Sequence, residues 1–590
     1  MAELSYPERL VEVRRQMEKM GVDLTIVRST DRFLNEYVPT EESARVWITG
    51  FTGSMGEVVI TQKQAYLAVD GRYWIQAENQ VDPKAWEIIK VRLGTGLDQA
   101  IVDLVQRLVR EAKVPKLRIG FEPERVTPAQ LQYFQQAVGE GCLWKALFPS
   151  PVEQARGANR PTPKESRIRL IDEKKVGRTV AQKLSELGQS LEAMTADALL
   201  IQRLDEIAYL SNLRGDELPY QATFKSIALA TAENLFIGID PARAPNSVRV
   251  ARDQVLFVPE AEFWTLMGKK SKRKRIAYDP HHNTEQARLA IERTGAVALA
   301  VTTPVQAMKA KKNAAELKSM VEAFERADKV IDEVSNWLMN DVVAGKKVTE
   351  ADFATEVERA FLASGATGLS FKVISAAGKN GAIIHYSDPS KKRVIKKGEL
   401  MLLDTGAFYA EGYATDLTRT FLVDGKKAKG TPEQQRYYTL VLKAAIAGMS
   451  AVLPVGASGT ALDALVRAPL WAEGLNYNHG TGHGVGINVH EFPPRIGPNG
   501  ATNLEEGYVF SIEPGVYLPN FGGVRIENLC TLEKHKKLDG FLSVRPLTFS
   551  PLDQRLIDDR LLTEAEKAWL ADFQKGPATP AAGKKAKPKA

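Results

Sequence analysis

The stretch KGELMLLDTGAFYAEGYATDLTRTFLV (Lys397–Val423) contains two apolar, β-forming runs joined by a glycine-containing turn. This pattern predicts a strand, a turn and a second strand. Asp404 lies at the end of the first run, and Asp416 interrupts the second run twelve residues later. Acidic side chains are almost never fully buried unless they are paired or bound to a metal ion. The stretch therefore predicts a β-hairpin with two acids that need such a partner.

Two further acids lie in similar surroundings, Glu513 within VFSIEPGVY and Glu527 within GGVRIENL. A single acid of this kind is most often a structural carboxylate paired with a base. Arg419 and Arg525 are the competing partners, but two guanidinium groups cannot neutralise four acids. Four carboxylates within 124 residues are better explained by a shared cation.

Three of the seven histidines lie in NHGTGHGVGINVHE (Asn478–Glu491). Glycines separate His479, His483 and His490, so a helical metal site of the H-E-x-x-H type is excluded. The tract also lacks the spacing of a phosphate-binding loop. Two interpretations remain at this point: a backbone that passes closely around a ligand, or a glycine-rich surface loop with incidental histidines.

The ligand types indicate the metal and the reaction. An oxygen-rich set with one or two imidazoles suits Mn²⁺, Co²⁺ or Zn²⁺ and does not suit a structural zinc knot. Four carboxylates can neutralise two divalent ions, and a dinuclear site activates water and polarises a carbonyl or phosphoryl oxygen. We therefore expect hydrolysis. The lack of a phosphate-binding loop favours an amide as the substrate.

The bulk composition excludes several classes of protein. The chain has 590 residues, of which 44% are hydrophobic and 26% charged, so two to four globular domains are expected. No apolar run is long enough for a membrane span, and the N-terminus lacks the apolar region of a signal peptide. Two cysteines are too few for a disulfide framework. We expect a cytoplasmic protein without a membrane partner.

The net charge of +7 is concentrated in two segments. Ten positive charges lie in the run Lys269–Arg275 and in the tail Lys584–Lys589, which leaves the rest of the chain slightly acidic. Nucleic acid is therefore not an expected partner. Residues 575–590, KGPATPAAGKKAKPKA, are predicted to form a disordered basic tail.

Two N-terminal segments are weakly alike. Strand-like runs at Asp23–Val27 and Asp197–Ile201 are each followed by an aromatic stretch that ends in glycine, and then by β-rich runs. This indicates two related α/β units, with chance similarity of two α/β domains as the alternative. The last 290 residues mix strands and helices without a βαβ repeat, which predicts α+β, and a long helix is expected from Ala314. The predicted domains are residues 1–160, 161–302 and 303–574.

The order of the candidate ligands resembles that of a known superfamily. Asp404, Asp416, His483, Glu513 and Glu527 are similar to the five metal ligands of the methionine aminopeptidase/aminopeptidase P/prolidase superfamily. DTGAFYAEGYATDLTRTF, HGTGHGVG, EPGVY and GGVRIEN carry this likeness. GFTGSMGEVVI, AVDGRYWIQA and LDEIAYLSNLRG resemble the first two domains of the long, three-domain aminopeptidase P family. The resemblance implies two creatinase-like α/β N-terminal domains and an α+β pita-bread catalytic domain.

The resemblance also implies roles for the five ligands. Asp404 and Asp416 would hold two divalent ions, with Asp416 and Glu527 bridging them. His483 and Glu513 would complete the shell of one ion. Glu513 would also be the general base for the water that bridges the ions. Mn²⁺ is the expected metal, with Zn²⁺ and Co²⁺ as alternatives.

Three further histidines match active-site positions of the family. His385, in GAIIHYSDP, would contact the substrate or the developing oxyanion. His479 would line the pocket for the residue before the scissile bond or for the proline ring. His490 would bind the substrate backbone and stabilise the tetrahedral intermediate. For each of them, the alternative is a structural imidazole whose hydrogen bonds are satisfied within the protein; Arg525 and Tyr517 are expected to orient other groups.

Two spacings depart from the family pattern. The Asp404–Asp416 spacing of twelve is about one residue longer than usual, which a β-bulge or a longer hairpin turn would absorb. The His483–His490 spacing of seven is more like that of short forms and prolidases than that of eukaryotic long forms. Both differences affect the expected shape of the pocket.

The resemblance implies a homodimeric aminopeptidase that removes the first residue from peptides whose second residue is proline. An X–Pro amide has no N–H, so a dedicated pocket for the proline ring is expected. A prolidase that cleaves only X-Pro dipeptides is the nearest alternative. A non-catalytic pita-bread protein that acts as a binding module is a more distant one.

Overall fold

The computed structural model describes residues 4–112, 114–157, 160–164, 168–244 and 254–576. Residues 577–590, which make up most of the predicted basic tail, lie outside these ranges. The run Lys269–Arg275 spans the end of the helix Glu260–Ser271 and the start of the next strand. Within the described ranges, no helix has both the length and the apolar character required to cross a bilayer.

The first domain is built on a mixed six-stranded sheet. Its strands are β1 (Leu24–Val27), β2 (Glu57–Thr61), β3 (Ala65–Asp70), β4 (Glu87–Val91), β5 (Leu117–Phe121) and β6 (Cys142–Ala146). The order is β4-β3-β2-β1-β5-β6, and β2 is antiparallel to both of its neighbours while the other pairs are parallel. Val58 and Ile60 pack into one core and Val59 into another, so the sheet is covered on both faces. The helices are Tyr6–Lys19, Ala44–Thr49, Trp74–Gln80, Leu97–Glu111, Pro128–Val138 and Pro151–Arg156.

The second domain repeats this topology. Its strands are β7 (Arg169–Leu170), β8 (Ala198–Ile201), β9 (Leu213–Arg214), β10 (Ile227–Ala230), β11 (Leu235–Gly238), β12 (Val255–Val258), β13 (Arg275–Tyr278) and β14 (Val297–Ala300). Its main sheet has the order β12-β11-β10-β8-β13-β14, with β10 antiparallel to both neighbours and the other pairs parallel. The helices are Glu173–Val176, Val180–Ala193, Leu204–Ser211, Glu260–Ser271 and Glu285–Arg293, and a further helix, Pro304–Ala310, follows the last strand.

The two weakly similar runs occupy equivalent places in these sheets. Asp23 directly precedes β1, and Asp197 directly precedes β8. Each side chain accepts a hydrogen bond from a backbone N–H of the neighbouring parallel strand. The donors are Arg118 and Arg275, both at 2.8 Å. The prediction of two related α/β units is therefore confirmed. The two units also share an aspartate at the start of the central strand that makes the same hydrogen bond.

The third domain combines small sheets with long helices, as predicted for an α+β domain. Its strands are β15 (Gly368–Leu369), β16 (Ile374–Ala377), β17 (Leu400–Thr405), β18 (Ala407–Phe408), β19 (Leu417–Leu422), β20 (Val452–Pro454), β21 (Gly482–Gly484), β22 (Glu491–Ile496), β23 (Val509–Ile512), β24 (Gly515–Leu518), β25 (Gly522–Arg525), β26 (Asn528–Lys534) and β27 (Phe541–Pro546). The sheets are β16-β17-β19, β20-β27-β26-β23-β21-β22, β24-β25 and β15-β18. The helices are Ala314–Val343, Glu350–Ala363, Pro432–Met449, Gly459–Trp471 and Glu564–Phe573.

The predicted long helix begins where the sequence indicates. The Asn313 side chain accepts the backbone N–H groups of Ala315 and Glu316, and the Glu316 carboxylate accepts the N–H of Asn313. This capping box satisfies donors that would otherwise lack a partner at the start of the helix. The helix then continues to Val343.

The predicted hairpin is present as β17 and β19. Their antiparallel register runs without interruption from Leu400–Leu422 to Thr405–Leu417, and Asp404 lies opposite Thr418. The pair contains no β-bulge, so the spacing of twelve is accommodated by the connection 406–416, which includes β18. Asp416 directly precedes β19 and does not interrupt it.

The strands that carry the acids are buried. Every residue of β17, β19 and β23 is buried. Burial of each large aliphatic side chain contributes about 1.5–3 kcal/mol. This packing offsets the cost of placing carboxylates in the interior and holds them on rigid strands.

Candidate active site

Four acids and one histidine converge between the sheets of the third domain. Asp404 lies on β17, Asp416 before β19, Glu513 after β23 and Glu527 between β25 and β26, while His483 lies on β21. His483 Nε2 is 3.5 Å from Asp416 Oδ2 and 3.4 Å from Glu513 Oε1. Ligand atoms of Asp416, His483 and Glu527 all lie within 4.8 Å of one another. The structure thus brings Asp416, His483, Glu513 and Glu527 close to one another, and the charge of Asp404 acts on the three acids among them.

The electrostatics of this cluster are those of acids that repel one another in a poorly hydrated site. Burial raises the pKa of Asp416 and of Glu527 well above their usual values, and the charges of neighbouring carboxylates raise both further. Burial, together with Asp404 and against the opposing Arg525, raises the pKa of Glu513 to about 7. Such mutual repulsion is removed when divalent ions neutralise the acids.

The chemistry of the donor atoms fits a divalent metal. Asp404 Oδ1 is buried and finds no hydrogen-bond donor within the described part of the chain. The Nδ1 of His483 lies 3.1 Å from the Gly484 carbonyl, so a proton on Nδ1 leaves Nε2 available as a ligand. Burial lowers the pKa of His483 to about 3, which keeps the imidazole neutral. Oxygen atoms with a neutral imidazole suit Mn²⁺, Zn²⁺ or Co²⁺.

Arg525 connects one of these acids to His479. Its guanidinium donates to Asp404 Oδ2 at 2.6 Å and to the Tyr517 hydroxyl at 2.9 Å. The Tyr517 hydroxyl lies 2.9 Å from His479 Nε2, and His479 Nδ1 lies 2.7 Å from the Gly480 carbonyl. Both ring nitrogens of His479 therefore have partners within the protein, and its ring packs against Tyr477 with the ring centres 4.7 Å apart.

His490 contacts a residue that the sequence reasoning did not identify. Its Nδ1 lies 2.6 Å from Glu36 Oε2 of the first domain. Burial alone would lower the pKa of His490, but the Glu36 carboxylate outweighs it and raises the pKa. The His490 ring also lies perpendicular to that of His483, with the ring centres 4.3 Å apart. His490 is thus held beside the proposed ligand by an anion from another domain.

His385 is held in a similar way. Its Nδ1 lies 3.0 Å from the Tyr73 hydroxyl of the first domain, and the two rings meet edge-on at 5.3 Å. Burial is the main cause that lowers the pKa of His385 well below its usual value, and Arg72 adds to it. The imidazole is therefore neutral at physiological pH.

The first domain supplies four residues to this site that were missed: Glu36, Tyr37, Arg72 and Tyr73. Tyr37 stacks near His490 with ring centres 6.5 Å apart, and a Cβ at Gly71 would lie 2.8 Å from that of Asn478. No local pattern marks Glu36 and Tyr37, because their partners lie hundreds of positions away in the chain. The motif AVDGRYWIQA was the available signal, since it places charged and aromatic residues directly after β3.

The glycines of the histidine tract are required by the neighbouring strands. A Cβ at Gly482 would collide with the Ser511 carbonyl on β23, and one at Gly486 would collide with the Glu491 carboxylate. At these two glycines the close approach is between protein segments, and close approach of the backbone to a ligand stays a prediction. The alternative of a surface loop with incidental histidines is wrong, since His479 and the glycines flanking His483 are buried.

A buried charge cluster connects the tract to the second domain. Lys309 Nζ lies 2.8 Å from Glu491 Oε2 and 2.8 Å from Asp205 Oδ2. The other oxygen of Glu491 accepts the backbone N–H groups of Ile487 at 2.8 Å and Asn488 at 3.2 Å. These contacts fix the turn between His483 and His490.

Three family models match consecutive parts of the chain. Residues 9–153 and 159–316 each match a creatinase/prolidase N-terminal domain, and residues 318–534 match metallopeptidase family M24. Together they cover the three domains described above.

Several curated proteins are similar over nearly the whole chain. A probable Xaa-Pro aminopeptidase P of Sordaria macrospora is 34% identical, and the alignment covers 95% of this chain and 94% of that protein. A probable Xaa-Pro aminopeptidase P of Pyricularia oryzae is also 34% identical, with coverage of 98% and 96%.

Two solved structures are similar to the chain to different extents. The X-prolyl aminopeptidase of Caenorhabditis elegans, described as a cytosolic enzyme with a di-nuclear active site, matches with a TM-score of 0.88 and 28% identity over 97% of this chain and 95% of that chain. A prolidase of Pyrococcus horikoshii matches with a TM-score of 0.52 and 26% identity over 64% of this chain and 99% of that chain. The chain therefore belongs to the Xaa-Pro aminopeptidase P family within metallopeptidase family M24, with two creatinase/prolidase N-terminal domains ahead of its M24 domain.

Proposed function

We propose that the chain is a dinuclear-metal aminopeptidase that releases the first residue from peptides with proline in the second position. The observation that carries this proposal is the convergence of His483 with four acids, three of them buried and Glu513 partly so, in a chain that is similar to Xaa-Pro aminopeptidases over nearly its whole length. Peptides that begin with Xaa-Pro are the proposed substrates.

The proposed ligands are Asp404, Asp416, His483, Glu513 and Glu527. Mn²⁺ is the first choice of metal because most of the donors are hard oxygen atoms, and Zn²⁺ or Co²⁺ would also fit. Two bound ions would supply Lewis-acid polarisation of the scissile carbonyl and a water of lowered pKa.

The side chains of this chain then position the substrate and move protons. Glu513, whose Oε1 accepts from the Ser511 hydroxyl at 3.2 Å, is the proposed general base for the attacking water. His490 keeps its Nδ1 on Glu36, so its Nε2 is the nitrogen that remains to stabilise the tetrahedral intermediate. The ring of His479 is proposed to line the pocket, and His385 is proposed to contact the peptide.

The proposed activity has two alternatives, a prolidase and a non-catalytic binding protein. The likeness to a prolidase favours X-Pro dipeptides as a second candidate substrate class, although it covers 64% of this chain. A non-catalytic binding protein would not need its five candidate ligand residues to converge on one buried site. The full-length match to aminopeptidases favours longer peptides over both alternatives.

The organisation of the chain is also part of the proposal. We propose domains at residues 1–160, 161–302 and 303–574, a cytoplasmic location and a homodimer. The family matches at 9–153 and 159–316 support the first boundary, while the second match ends at residue 316, fourteen residues after the proposed second boundary.

The test compares the tripeptide Ala-Pro-Ala with the dipeptide Ala-Pro, after metal depletion and addition of Mn²⁺. The proposal predicts release of alanine from the tripeptide. Cleavage of the dipeptide alone would establish the prolidase alternative. No cleavage of either peptide, together with no bound metal, would establish the non-catalytic alternative.

A further inference from the structure

Tyr73 reaches from the first domain into the candidate active site. It is 2% exposed, and its ring meets those of Phe51 and His385 edge-on. A Cβ at Gly53 would lie 2.8 Å from the Tyr73 ring, so this glycine leaves space for it. The phenol is thus fixed by packing, with its hydroxyl 3.0 Å from His385 Nδ1.

A series of hydrogen-bonding contacts continues beyond this hydroxyl. The Ser54 hydroxyl lies 2.8 Å from that of Tyr73 and 3.3 Å from Glu36 Oε1. The other oxygen of Glu36 is the one bound to His490. Contacts from His385 through Tyr73, Ser54 and Glu36 therefore connect two histidines of the site through the first domain.

The number of available protons determines which group donates in each of these hydrogen bonds. An ionised carboxylate only accepts hydrogen bonds, and each hydroxyl has one proton to donate. If the Ser54 proton points to Glu36, Ser54 must accept the proton of Tyr73. The oxygen of Tyr73 must then accept a proton from His385 Nδ1. This is the arrangement that satisfies all the contacts at once.

We propose that Tyr73 is a positioning residue that holds His385 in the tautomer with its proton on Nδ1. A neutral imidazole has one N–H and one lone pair, so Nε2 becomes the acceptor nitrogen. His385 then accepts a hydrogen bond from a peptide N–H group and does not donate one to an oxyanion. Tyr73 acts only through His385 and is not itself a catalytic residue.

The kinetic consequences rest on the proposed peptidase function, but the tautomer does not. The tautomer is measured directly in full-length protein that is labelled with [¹⁵N]histidine and loaded with Zn²⁺, which is diamagnetic. The ring signals of His385 are assigned by their loss in His385→Ala. Absence of peptidase activity in the wild type would overturn the proposed function and leave this measurement intact.

The NMR spectra test the donor–acceptor order of these hydrogen bonds, because they show which ring nitrogen of His385 carries the proton. We expect the wild-type His385 proton on Nδ1. Ser54→Ala removes the acceptor for the Tyr73 proton, which can then donate to Nδ1 and drive the His385 proton to Nε2. A wild-type proton on Nε2, or a Ser54→Ala spectrum identical to that of the wild type, overturns the proposal.

Kinetics with Ala-Pro-Ala test the coupling. Tyr73→Phe is expected to lower kcat about ten-fold with little change in KM, as loss of one hydrogen bond predicts. In a His385→Ala background the same change should have no further effect, since residues that act through one another are not additive. Equal losses in both backgrounds would overturn the proposal.

Two measurements separate positioning from damage to the fold. Tyr66→Phe is the matched control, because it removes a phenolic hydroxyl from the same domain, where its partner is Gln64. It should leave kcat unchanged. Bound Zn²⁺ and the melting temperature of Tyr73→Phe should equal those of the wild type, and a variant that loses metal in proportion to kcat contradicts a role through His385.

Discussion

Glu36 Oε2 lies 2.6 Å from Nδ1 of His490, although 454 positions separate the two residues in the chain. Burial opposes the charge on Glu36, but His490 lowers the pKa of that carboxyl to about 2. The M24 match begins at residue 318, so it does not include Glu36. The first domain is thus a structural part of the candidate active site.

Replacement of Glu36 by Gln should lower kcat/KM for Ala-Pro-Ala about 10- to 100-fold, since a hydrogen bond to a charged group contributes about 1.5–3 kcal/mol. Steady-state kinetics measure the change. Glu18→Gln, at an exposed acid of the same domain, is the control. Wild-type kcat/KM in Glu36→Gln would show that the contact has no role in catalysis.

Asp416→Asn should abolish activity and stabilise the metal-free protein. Burial and the charges of Glu527 and Asp404 raise the pKa of Asp416, so a neutral amide removes a repulsion that the acid imposes. We expect the metal-free variant to melt about 2–4 °C above the wild type at pH 8. Asp388→Asn, at an acid whose side chain is 73% exposed, should change neither property. Retained activity would refute the assignment of Asp416 as a ligand.

The raised pKa of the buried Glu206 carboxyl predicts that the stability of the fold depends on pH. Burial, and then Asp205, raise its pKa from 4.5 to about 8. The folded protein therefore holds a proton that the unfolded chain releases, so the stabilising contribution is complete below pH 4.5 and is lost as the pH rises through 8. Glu206→Gln keeps a neutral side chain at every pH.

The melting temperature of Glu206→Gln should exceed that of the wild type by about 2–4 °C at pH 9 and by less at pH 6. Differential scanning calorimetry at the two pH values measures this. Glu260→Gln, at a side chain that is 52% exposed, is the control. A difference that shrinks as the pH rises would contradict the raised pKa of Glu206.

Glu350 holds the loop that carries His385. Its buried carboxylate accepts hydrogen bonds from the Ala377 N–H at 2.8 Å, the Asn380 amide at 3.0 Å and the Tyr386 hydroxyl at 2.8 Å. Glu350→Ala leaves all three donors without this partner and should cost about 3 kcal/mol or more, while Tyr386→Phe loses one bond and should cost about 1 kcal/mol. Denaturant unfolding measures both. Equal losses would show that Glu350 acts only through Tyr386.

Short-range patterns predicted much of the architecture. The two apolar runs around Asp404 and Asp416 predicted the β17–β19 hairpin. The position of four acids within apolar, β-forming runs predicted that they bind a common cation. The structure brings these acids together with His483 because each lies on or beside a buried strand, where chain direction and burial leave little freedom. The resemblance between the runs at Asp23 and Asp197 likewise corresponds to two sheets of one topology.

The remaining parts of the site depend on contacts between domains. Nothing near Glu36 or Tyr73 in the sequence indicates a histidine partner, since those partners lie 454 and 312 positions away. The sequence offers close approach to a ligand as a reason for the glycines of the histidine tract, and the structure shows a second reason, since the backbone of β23 leaves no room for a Cβ at Gly482. Such requirements arise from packing between distant segments, which local composition does not encode.

Titration of the metal-depleted enzyme with Mn²⁺ tests whether the five ligands form a dinuclear Xaa-Pro aminopeptidase site, with alanine release from Ala-Pro-Ala and from Ala-Pro measured at each point. Metal content is determined on the same samples. We expect activity on the tripeptide to appear as the protein approaches two ions per chain, and we expect Asp416→Asn to show neither the activity nor the full metal content. No release from Ala-Pro-Ala at any Mn²⁺ concentration, or release from Ala-Pro alone, would contradict it.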